Sequence, residues 1–355
     1  MRIFQLIQSL VSGDAIGNYT VLLDRALKAQ GFVTGVYAIY RHKDVENVSK
    51  RYEELPTPEK NDIVIYHMNE ISEINTDIKN MKCKKIAIYH NTTPPIYFAN
   101  YHKMLCRLQT EATKQIKTLK DCFDLCIADS EFNKKDLIKM GYDEEKITVI
   151  PVYMDFDEYK QAPDDKKVIK YRDEKVNIVF VGRIAPNKKQ ENIIRAFAHY
   201  KRYINNKSRL IIAGTDFDGT YFGKLQSYVE TLGLDDVVFT GKVSFPEILA
   251  IYITADIFLC MSEHEGFCIP LIEAMMFNVP IIAYNSTVIP ETLGGAGVLT
   301  QTKDEAHVAG IIDKIITDET YRAEIIEGQK KRLKDFSGEQ IFNQILDVVR
   351  SVEAL

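Results

Sequence analysis

Two glutamates stand close together in the stretch SEHEGFCIPLIEAM, residues 262–275. Glu265 lies in a glycine turn, and Glu273 lies on a helical segment predicted to begin near Pro270, since proline is favoured in the first turn of a helix. Two carboxylates at this spacing can act as an acid/base pair, as metal ligands, or as acceptors for hydroxyl groups of one ligand. A zinc-protease helix motif is excluded, because Cys268 occupies the position of its second histidine.

A second group of candidate residues lies in IVFVGRIAPNKK, residues 178–189. Arg183 and Lys188 fall in the loop between a predicted strand and the next helix. Two cations near a helix N-terminus suit a diphosphate, because charge and backbone N–H groups then face the same anion. The alternative is a solvated basic loop, and Lys189 is expected to be a solvated residue of that kind.

A glycine loop follows the first predicted strand. Gly13 and Gly17 flank Asp14, and a helix is predicted from Asn18. Such a loop can bring backbone N–H groups close to a phosphate. The alternative is a turn that uses glycine for backbone reasons alone.

Two histidines follow predicted strands in the same half of the chain. His90 lies in the polar turn HNTTPP, which Pro94 and Pro95 keep from continuing as a helix. His67 follows the strand 62–66. A lone histidine is usually structural, but a polar turn at the carboxyl end of a strand makes His90 the better functional candidate.

Short β-branched runs alternate with helical segments along the chain, which predicts α/β domains with parallel sheets covered by helices. A charged interval, 160–175, divides the pattern and is predicted to be a linker. The predicted domains are residues 1–160 and 175–337, and a last helix at 338–355 is expected to pack back on the first domain. Ligands of such sheets bind outside the carboxyl ends of the strands, where the candidate residues lie.

Composition narrows the classes of function. The chain has 355 residues, 27% of them charged, and a net charge of −5, which argues against nucleic acid as the main partner. The first ten residues indicate a buried strand rather than a signal peptide. Six scattered cysteines without a C-x-x-C pair favour reduced thiols in a cytoplasmic protein, and the spacing of His, Asp and Cys indicates no metal site.

Taken together, these motifs resemble the retaining GT-B glycosyltransferases of family 4. The resemblance rests on the E-x7-E arrangement of Glu265 and Glu273, on GRIAPNK about eighty residues earlier, and on YHNTTPP, IADSEFNKKDL and VIPVYMD. The pairing of YHNTTPP with HEGFCIPL is most similar to bacterial mannosyl- and rhamnosyltransferases of surface polysaccharides. The resemblance implies a GT-B fold, in which two Rossmann-like domains have parallel sheets that face each other across a central cleft.

The resemblance also implies transfer of a hexose from a nucleotide diphosphate sugar, without a metal or another cofactor. Arg183 and Lys188 would neutralise the diphosphate, and Glu273 would hold the ribose. Glu265 would bind hydroxyl groups of the donor sugar, which His90 would reach from the first domain.

Further donor contacts follow from the same resemblance. Gly13 would approach the diphosphate, and the base would lie near Lys242 and Val243. Backbone N–H groups of Phe267 and Cys268 would assist at the sugar. Cys268 departs from the glycine of many relatives, which leaves the identity of the donor sugar open.

GDP-mannose is the favoured donor, with UDP- or dTDP-linked hexoses as alternatives. The expected acceptor is a glycan or a lipid-linked glycan of polysaccharide biosynthesis, with Asp14, Asn18 and His67 as acceptor-side candidates. A non-catalytic nucleotide-sugar-binding subunit, a GT-B phosphorylase and an epimerase are the rival classes. The sequence leaves the oligomeric state open.

One predicted helix is basic and amphipathic. In residues 101–120, Lys103, Arg107, Lys114 and Lys117 align along one side between apolar residues. Such a helix can lie on an anionic membrane surface, or it can face the core with a cationic outer side. A lipid-linked acceptor favours peripheral association with the inner face of the cytoplasmic membrane.

Overall fold

The computed structural model describes residues 1–11, 13–216 and 219–354. The chain divides into two compact units. Unit 1 comprises Met1–Ile96, Met104–Phe156 and Phe336–Leu355, and unit 2 comprises Tyr97–Lys103 and Asp157–Asp335.

Strands and helices alternate along both units, as the sequence predicts. The strands are β1 (Arg2–Leu10), β2 (Val33–Arg41), β3 (Lys50–Arg51), β4 (Ile63–Met68), β5 (Lys84–Tyr89), β6 (Leu125–Ala128), β7 (Ile147–Val149), β8 (Val176–Val181), β9 (Ser208–Ala213), β10 (Val237–Phe239), β11 (Ile257–Cys260), β12 (Ile281–Tyr284) and β13 (Val298–Thr300). The helices are α1 (Ala15–Ala29), α2 (Ile74–Asp77), α3 (Lys103–Lys117), α4 (Glu131–Lys139), α5 (Asp165–Tyr171), α6 (Gln190–Tyr203), α7 (Thr220–Thr231), α8 (Phe245–Ile253), α9 (Ile269–Met276), α10 (Ile289–Leu293), α11 (Glu305–Thr317), α12 (Glu319–Leu333) and α13 (Gly338–Glu353).

Each unit contains one parallel sheet. Within the described residues, the strand order is β3-β2-β1-β4-β5-β6-β7 in unit 1 and β10-β9-β8-β11-β12-β13 in unit 2. Strands such as β4, β9 and β11 are buried along their whole length, which agrees with their mainly apolar sequences. In both sheets the strand order reverses beside the first strand of the unit, which is the doubly wound, Rossmann-like arrangement. The predicted α/β class with two parallel sheets is confirmed.

The boundary between the units differs from the predicted one at two places. The segment 97–103 belongs to unit 2, because the Tyr97 hydroxyl donates to the carbonyl oxygen of Glu263 at 3.3 Å and the Tyr101 ring packs edge-on against Tyr221. The charged interval 160–175, predicted to be a linker, contains α5 and also belongs to unit 2.

Several element ends also differ from the prediction. Helix α1 begins at Ala15 rather than at Asn18, because Asp14 caps it. Strand β4 continues through His67 to Met68 instead of ending at residue 66. The last helix, α13, belongs to unit 1, where Phe342 stacks on Tyr153 at 5.5 Å. Leu355 lies outside the described residues.

No helix in the described part of the chain is both long enough and apolar enough to span a bilayer.

Candidate active site

The candidate site of unit 2 lies where its strand order reverses. Strands β8 and β11 are neighbours, and the loops that leave their carboxyl ends carry Lys188 and Glu265 respectively. A reversal of strand order opens a crevice between two such loops, and doubly wound proteins bind their ligands there.

Glycine allows the loop after β8 to run close to the end of β9. A Cβ atom at Gly214 would lie 2.0 Å from the carbonyl oxygen of Gly182, so a larger residue does not fit. The loops after β8 and β9 also pair with each other, since the backbone N–H of Ile184 donates to the carbonyl oxygen of Thr215 at 2.9 Å. This pairing fixes the start of the loop that carries Arg183 and Lys188.

Lys188 and Glu265 form a direct ion pair, in which the Lys188 ammonium donates to Oε2 of the carboxylate. The Glu265 side chain is only 8% exposed and that of Lys188 only 19%. A buried carboxylate without a partner would be strongly destabilising, so each charge depends on the other. Two residues that the sequence places 77 positions apart are therefore brought into contact.

The turn that carries Glu265, residues 260–268 from the end of β11 to the start of α9, is here called the glutamate turn, and Asn187 holds it from the β8 side. The side-chain amide of Asn187 donates to the carbonyl oxygen of His264 at 3.0 Å. The backbone carbonyl oxygen of Asn187 accepts from the N–H of Glu263 at 2.8 Å. Burial lowers the pKa of His264 to about 4, so its imidazole is neutral near pH 7.

From the β12 side, two threonines hold the same turn. The hydroxyl of Thr287 accepts from the N–H of Glu265 at 3.1 Å, and the hydroxyl of Thr292 donates to the carbonyl oxygen of Phe267 at 2.6 Å. Thr287 has a φ of 42°, which is unfavourable for a β-branched residue. Backbone strain of this kind clusters at functional sites.

Lys189 is not the solvated residue that the sequence indicates. Its ammonium lies 3.4 Å from Glu263 and 3.7 Å from Glu191, and its side chain is 24% exposed. Glu263 in turn pairs with Lys303. The Arg183 side chain, in contrast, is exposed and has no ion-pair partner among the described residues.

Glu273 lies on α9 with both carboxylate oxygens occupied. Tyr159 donates to Oε1 at 2.8 Å and Tyr252 donates to Oε2 at 2.7 Å. Burial raises the pKa of Glu273 and also the pKa of each phenol. Each oxygen keeps one further lone pair, so the carboxylate can still accept a ligand hydroxyl.

Tyr159 also links Glu273 to the loop before α8. Its ring packs edge-on against Phe245, with centroids 5.1 Å apart, and Phe245 lies two residues after Val243. The start of α8 is fixed by Ser244 and Glu247, which cap each other's backbone N–H groups. Glu273 and the predicted base-binding residue Val243 therefore border the same region of unit 2. Lys242 is exposed there.

Cys268 is the N-cap residue of α9, and its φ of 69° lies in the left-handed region. Glycine adopts this conformation without strain, which agrees with the glycine that the resemblance expects there. The neighbouring Cys260 sulfur, together with burial, raises the pKa of the Cys268 thiol. Cys268 and Phe267 precede the first turn of α9, whose free N–H groups favour an anionic or hydroxyl ligand.

In unit 1, four side chains form a buried hydrogen-bonded chain at the carboxyl ends of β4 and β5. Asp129 Oδ2 lies 2.8 Å from His90 Nδ1, His90 Nε2 lies 2.9 Å from His67 Nδ1, and His67 Nε2 lies 2.9 Å from Gln5 Oε1. Tyr19 packs edge-on against both imidazoles. The sequence placed His67 and His90 in similar positions but did not predict their contact or the part of Asp129.

Both nitrogens of His90 are thus engaged within unit 1. Its side chain is 3% exposed. The contact with a donor sugar that the resemblance assigns to His90 stays a prediction, and it requires Nε2 to exchange His67 for a sugar hydroxyl.

The glycine loop of unit 1 has clear structural tasks. Asp14 caps α1 by accepting from the N–H groups of Ile16 and Gly17, and Asn18 accepts from the N–H of Gly13 at 3.2 Å. A Cβ atom at Gly17 would lie 2.6 Å from the carbonyl oxygen of Val11. Ser12, in the same loop, lies outside the described residues. The ligand contacts predicted for Gly13, Asp14 and Asn18 stay predictions.

Burial of His67 makes stability depend on pH. Desolvation, with His90 adding to it, holds the pKa of His67 well below its usual value. The unfolded chain therefore binds a proton below about pH 6.5 that the folded chain does not, so stability falls as the pH falls. We expect the free energy of unfolding to decrease by up to about 1.4 kcal/mol per pH unit for this proton. Urea unfolding at several pH values measures the free energy of unfolding, which should depend less steeply on pH in His67→Gln than in the wild type.

The exposed His307 provides the matched control. His307→Gln removes an imidazole at the surface of unit 2 and should keep the wild-type slope. Equal slopes in the wild type and in His67→Gln would assign the acid sensitivity to other groups.

Doubly wound domains that bind nucleotides hold their ligands at a strand-order reversal of this kind. Residues 161–332, which belong to unit 2, match the family model described as glycosyl transferases group 1. Unit 2 is therefore similar, over most of its length, to group 1 glycosyltransferases.

Two relatives illustrate the similarity. The chain is 30% identical over 184 residues to an N-acetyl-D-galactosaminyltransferase of Campylobacter jejuni, named for a diNAcBac-PP-undecaprenol-linked glycan, and this covers 51% of the chain and 50% of the relative. It is 27% identical over 182 residues to a GDP-mannose-dependent phosphatidylinositol monomannoside mannosyltransferase of Mycobacterium tuberculosis, which covers 48% of the chain and 46% of the relative. The chain thus spans about half the length of the curated relatives it matches.

Solved structures match nearly the whole chain. The Anabaena protein Alr3699/HepE, in complex with UDP and glucose, has a TM-score of 0.76 at 20% identity and covers 99% of this chain and 100% of its own. WaaG, a glycosyltransferase involved in lipopolysaccharide biosynthesis, has a TM-score of 0.71 at 14% identity and covers 98% of this chain and 99% of its own. The predicted GT-B fold is confirmed.

Proposed function

We propose that the protein is a glycosyltransferase that moves a hexose from a nucleotide diphosphate sugar to a glycan or lipid-linked glycan in polysaccharide biosynthesis. The observation that carries this proposal is the Lys188–Glu265 pair at the strand-order reversal of unit 2. It sets a cation for the diphosphate beside a carboxylate for sugar hydroxyls, within a domain that matches group 1 glycosyltransferases.

The leaving group sets the main catalytic demand. As the glycosidic bond breaks, positive charge builds on the sugar and negative charge builds on the departing diphosphate. The Lys188 ammonium has three N–H groups, so it can contact Glu265 and a phosphate oxygen together. The exposed Arg183 supplies a second cation from the same loop. Fixed cations stabilise the transition state because they need no reorganisation when the charge develops.

We further propose the retaining course of family 4. Glu265 is paired with Lys188 and held by Thr287, so it acts as an acceptor for donor-sugar hydroxyls rather than as a mobile nucleophile. The acceptor hydroxyl then attacks on the face that the diphosphate leaves, and the leaving phosphate oxygen takes its proton. Each step uses groups of this chain and the substrates, and we propose that no metal takes part.

The nucleoside is assigned to the region bordered by Glu273 and Val243. Glu273 accepts the ribose hydroxyls through its remaining lone pairs, and the loop before α8 lies against the base. GDP-mannose is the proposed donor, supported by the similarity to a relative named as GDP-mannose-dependent. UDP- and dTDP-linked hexoses are the alternatives, and the Anabaena structure that shares the fold contains UDP.

Calorimetry with the three nucleoside diphosphates tests the donor. We expect GDP to bind most tightly, with UDP and dTDP weaker by at least about tenfold, or about 1.4 kcal/mol. A weaker affinity for GDP than for the other two would reject the mannose assignment while leaving the proposed transfer intact.

A non-catalytic nucleotide-sugar-binding subunit is the main rival. A transferase releases nucleoside diphosphate only when donor and acceptor are both present, whereas a binding subunit releases none. A phosphorylase would instead consume phosphate, and an epimerase would convert the nucleotide sugar without an acceptor. Incubation with a panel of nucleotide sugars, with and without acceptor glycans, separates these classes.

We also propose that α3 associates with an anionic membrane surface on the cytoplasmic side. Leu105, Ala112 and Ile116 of α3 are buried, whereas Met104 is 58% exposed and Leu108 is 38% exposed. The same helix carries exposed cations in addition to the exposed Met104 and Leu108. They are Lys103, Arg107, Lys114 and Lys117. Each cation near an anionic surface adds about 1 kcal/mol at most, so the association should be weak and sensitive to salt.

Co-sedimentation with liposomes tests this association. We expect pelleting with anionic vesicles at low salt, little with neutral vesicles, and a clear loss in Met104→Gln/Arg107→Gln. The control Lys330→Gln/Lys331→Gln removes two exposed cations from α12 and should pellet like the wild type. Equal, negligible pelleting with both vesicle types would mean that α3 serves the fold alone.

A further inference from the structure

Three potential metal ligands meet in the glutamate turn. Cys260 ends β11, Cys268 precedes α9, and Glu265 lies between them. Their two sulfur atoms and one carboxylate oxygen all lie within 4.8 Å of one another, and all three residues are buried. The spacing of the two cysteines, with seven residues between them, is not a usual zinc-binding spacing, so this group could not be predicted from the sequence.

The protonation of the group follows from its hydrogen bonds. The Cys260 thiol donates to the Ser262 hydroxyl at 3.4 Å. The neighbouring Cys260 sulfur and burial raise the pKa of the Cys268 thiol, so this thiol is protonated as well. The Glu265 carboxylate is neutralised by Lys188. The group as it stands has no net charge.

We propose that Cys260, Glu265 and Cys268 form a binding site for a thiophilic divalent cation of the Zn²⁺ type. Two thiolates and one carboxylate give three protein ligands, and the fourth tetrahedral position stays open for water. Thiolates select Zn²⁺, Cd²⁺ or Co²⁺ over Mg²⁺ and Ca²⁺.

The charge of the group does not change when such an ion binds. Zn²⁺ brings two positive charges, and the two thiols release two protons as the Zn–S bonds form. Glu265 can bind the ion through one oxygen and keep Lys188 on the other, so Lys188 still neutralises the site. A buried group that stays neutral avoids the large cost of burying net charge. Because protons are released, the affinity should rise with pH.

An ion at this position would occupy Glu265. This consequence rests on the proposed function: Zn²⁺ would inhibit transfer by competing with the donor sugar, whereas Mg²⁺ would not. Binding of the ion itself does not depend on the activity, so failure of the site and failure of the proposed function can be told apart.

Titration of the reduced full chain with Co²⁺ under anaerobic conditions tests the site, because cobalt–thiolate bonds give a characteristic charge-transfer absorption. We expect this absorption in the wild type, its loss on addition of Zn²⁺, and at least about tenfold weaker Co²⁺ binding in Cys268→Gly and Cys260→Ala, since even changes around metal ligands cost 10- to 100-fold. Cys268→Gly should fold, because the φ of 69° suits glycine.

Cys122→Ser is the matched control, since it removes a half-buried thiol from unit 1. It should bind Co²⁺ like the wild type. Nucleoside diphosphate binding by Cys268→Gly reports that unit 2 is folded. Cys260→Ala is a second variant that lacks one of the proposed metal ligands. Absence of the thiolate absorption in the wild type, or its persistence in both ligand variants, would overturn the proposal.

Discussion

Replacing Lys188 with alanine is expected to lower kcat by about 10²- to 10³-fold, the range seen when one donor to a developing negative charge is removed. The reason is that, in the proposed function, the ammonium contacts the leaving diphosphate, whose negative charge increases between ground state and transition state. KM for the donor should change much less, because the contact strengthens mainly in the transition state. Steady-state kinetics with saturating acceptor measures both quantities.

The ion pair with Glu265 could produce a loss of activity for a second reason. Without Lys188, the buried Glu265 carboxylate would be left unpaired, which costs about 3–5 kcal/mol in comparable cases. Lys188→Ala/Glu265→Gln separates the two effects, since glutamine leaves no charge to neutralise. We expect the double variant to regain thermal stability relative to Lys188→Ala but to remain inactive.

Lys207→Ala controls for the removal of a lysine from unit 2, because Lys207 is exposed and its ion pair is with Glu174, which is also exposed. It should keep wild-type kinetics. Wild-type turnover in a folded Lys188→Ala variant would remove the diphosphate site from the proposal.

The loops that carry charge could be predicted from the sequence because their signals are local. Arg183 and Lys188 follow the mainly apolar strand β8, and Glu265 follows the short apolar strand β11, so these residues fall at the carboxyl ends of strands. Parallel sheets bring such ends together, and the contact of Lys188 with Glu265 follows from this rule. Helix α9 was predicted to within one residue, because Pro270 marks its first turn.

The supporting side chains could not be predicted, because their partners are distant in sequence. Tyr159 lies directly before the charged interval 160–175, within the predicted first domain, yet its hydroxyl donates to Glu273, which is 114 positions later in the chain. Thr287 follows β12, and only its strained backbone marks it in the structure. The available signal for Tyr159 was an aromatic residue within a strongly charged stretch. A solvated segment gains no stability from a large apolar ring, so the ring indicates burial.

The proximity of the two cysteines, Cys260 and Cys268, could not be predicted for a different reason. Their separation in sequence matches no familiar metal motif, and their proximity depends on the left-handed conformation of Cys268 that reverses the chain before α9. Backbone conformations at single positions leave little trace in a sequence, except where glycine is used. Here cysteine occupies the position, so the sequence carried no sign of the turn geometry.

Glu273→Ala is expected to weaken the binding of nucleoside diphosphate and to destabilise unit 2. A hydrogen bond to a charged group contributes about 1.5–3 kcal/mol, so the loss of a ribose contact should raise Kd by roughly 10- to 150-fold. The same change leaves the buried hydroxyls of Tyr159 and Tyr252 without their acceptor. Each unsatisfied buried group costs about 1–3 kcal/mol, which should be visible as a lower Tm.

Tyr159→Phe separates these two roles of the carboxylate. It removes one phenol but keeps the charge, so it should cost about 1 kcal/mol of stability and leave the affinity for GDP within about threefold of the wild type. Calorimetry well below the lowest Tm of the set compares the affinities of folded proteins only. If Tyr159→Phe lost as much affinity as Glu273→Ala, the phenol rather than the carboxylate would be the ribose contact, and Glu273 would serve to orient the tyrosines. If only Glu273→Ala lost affinity, its second lone pairs would be the acceptors that the proposed nucleoside site requires.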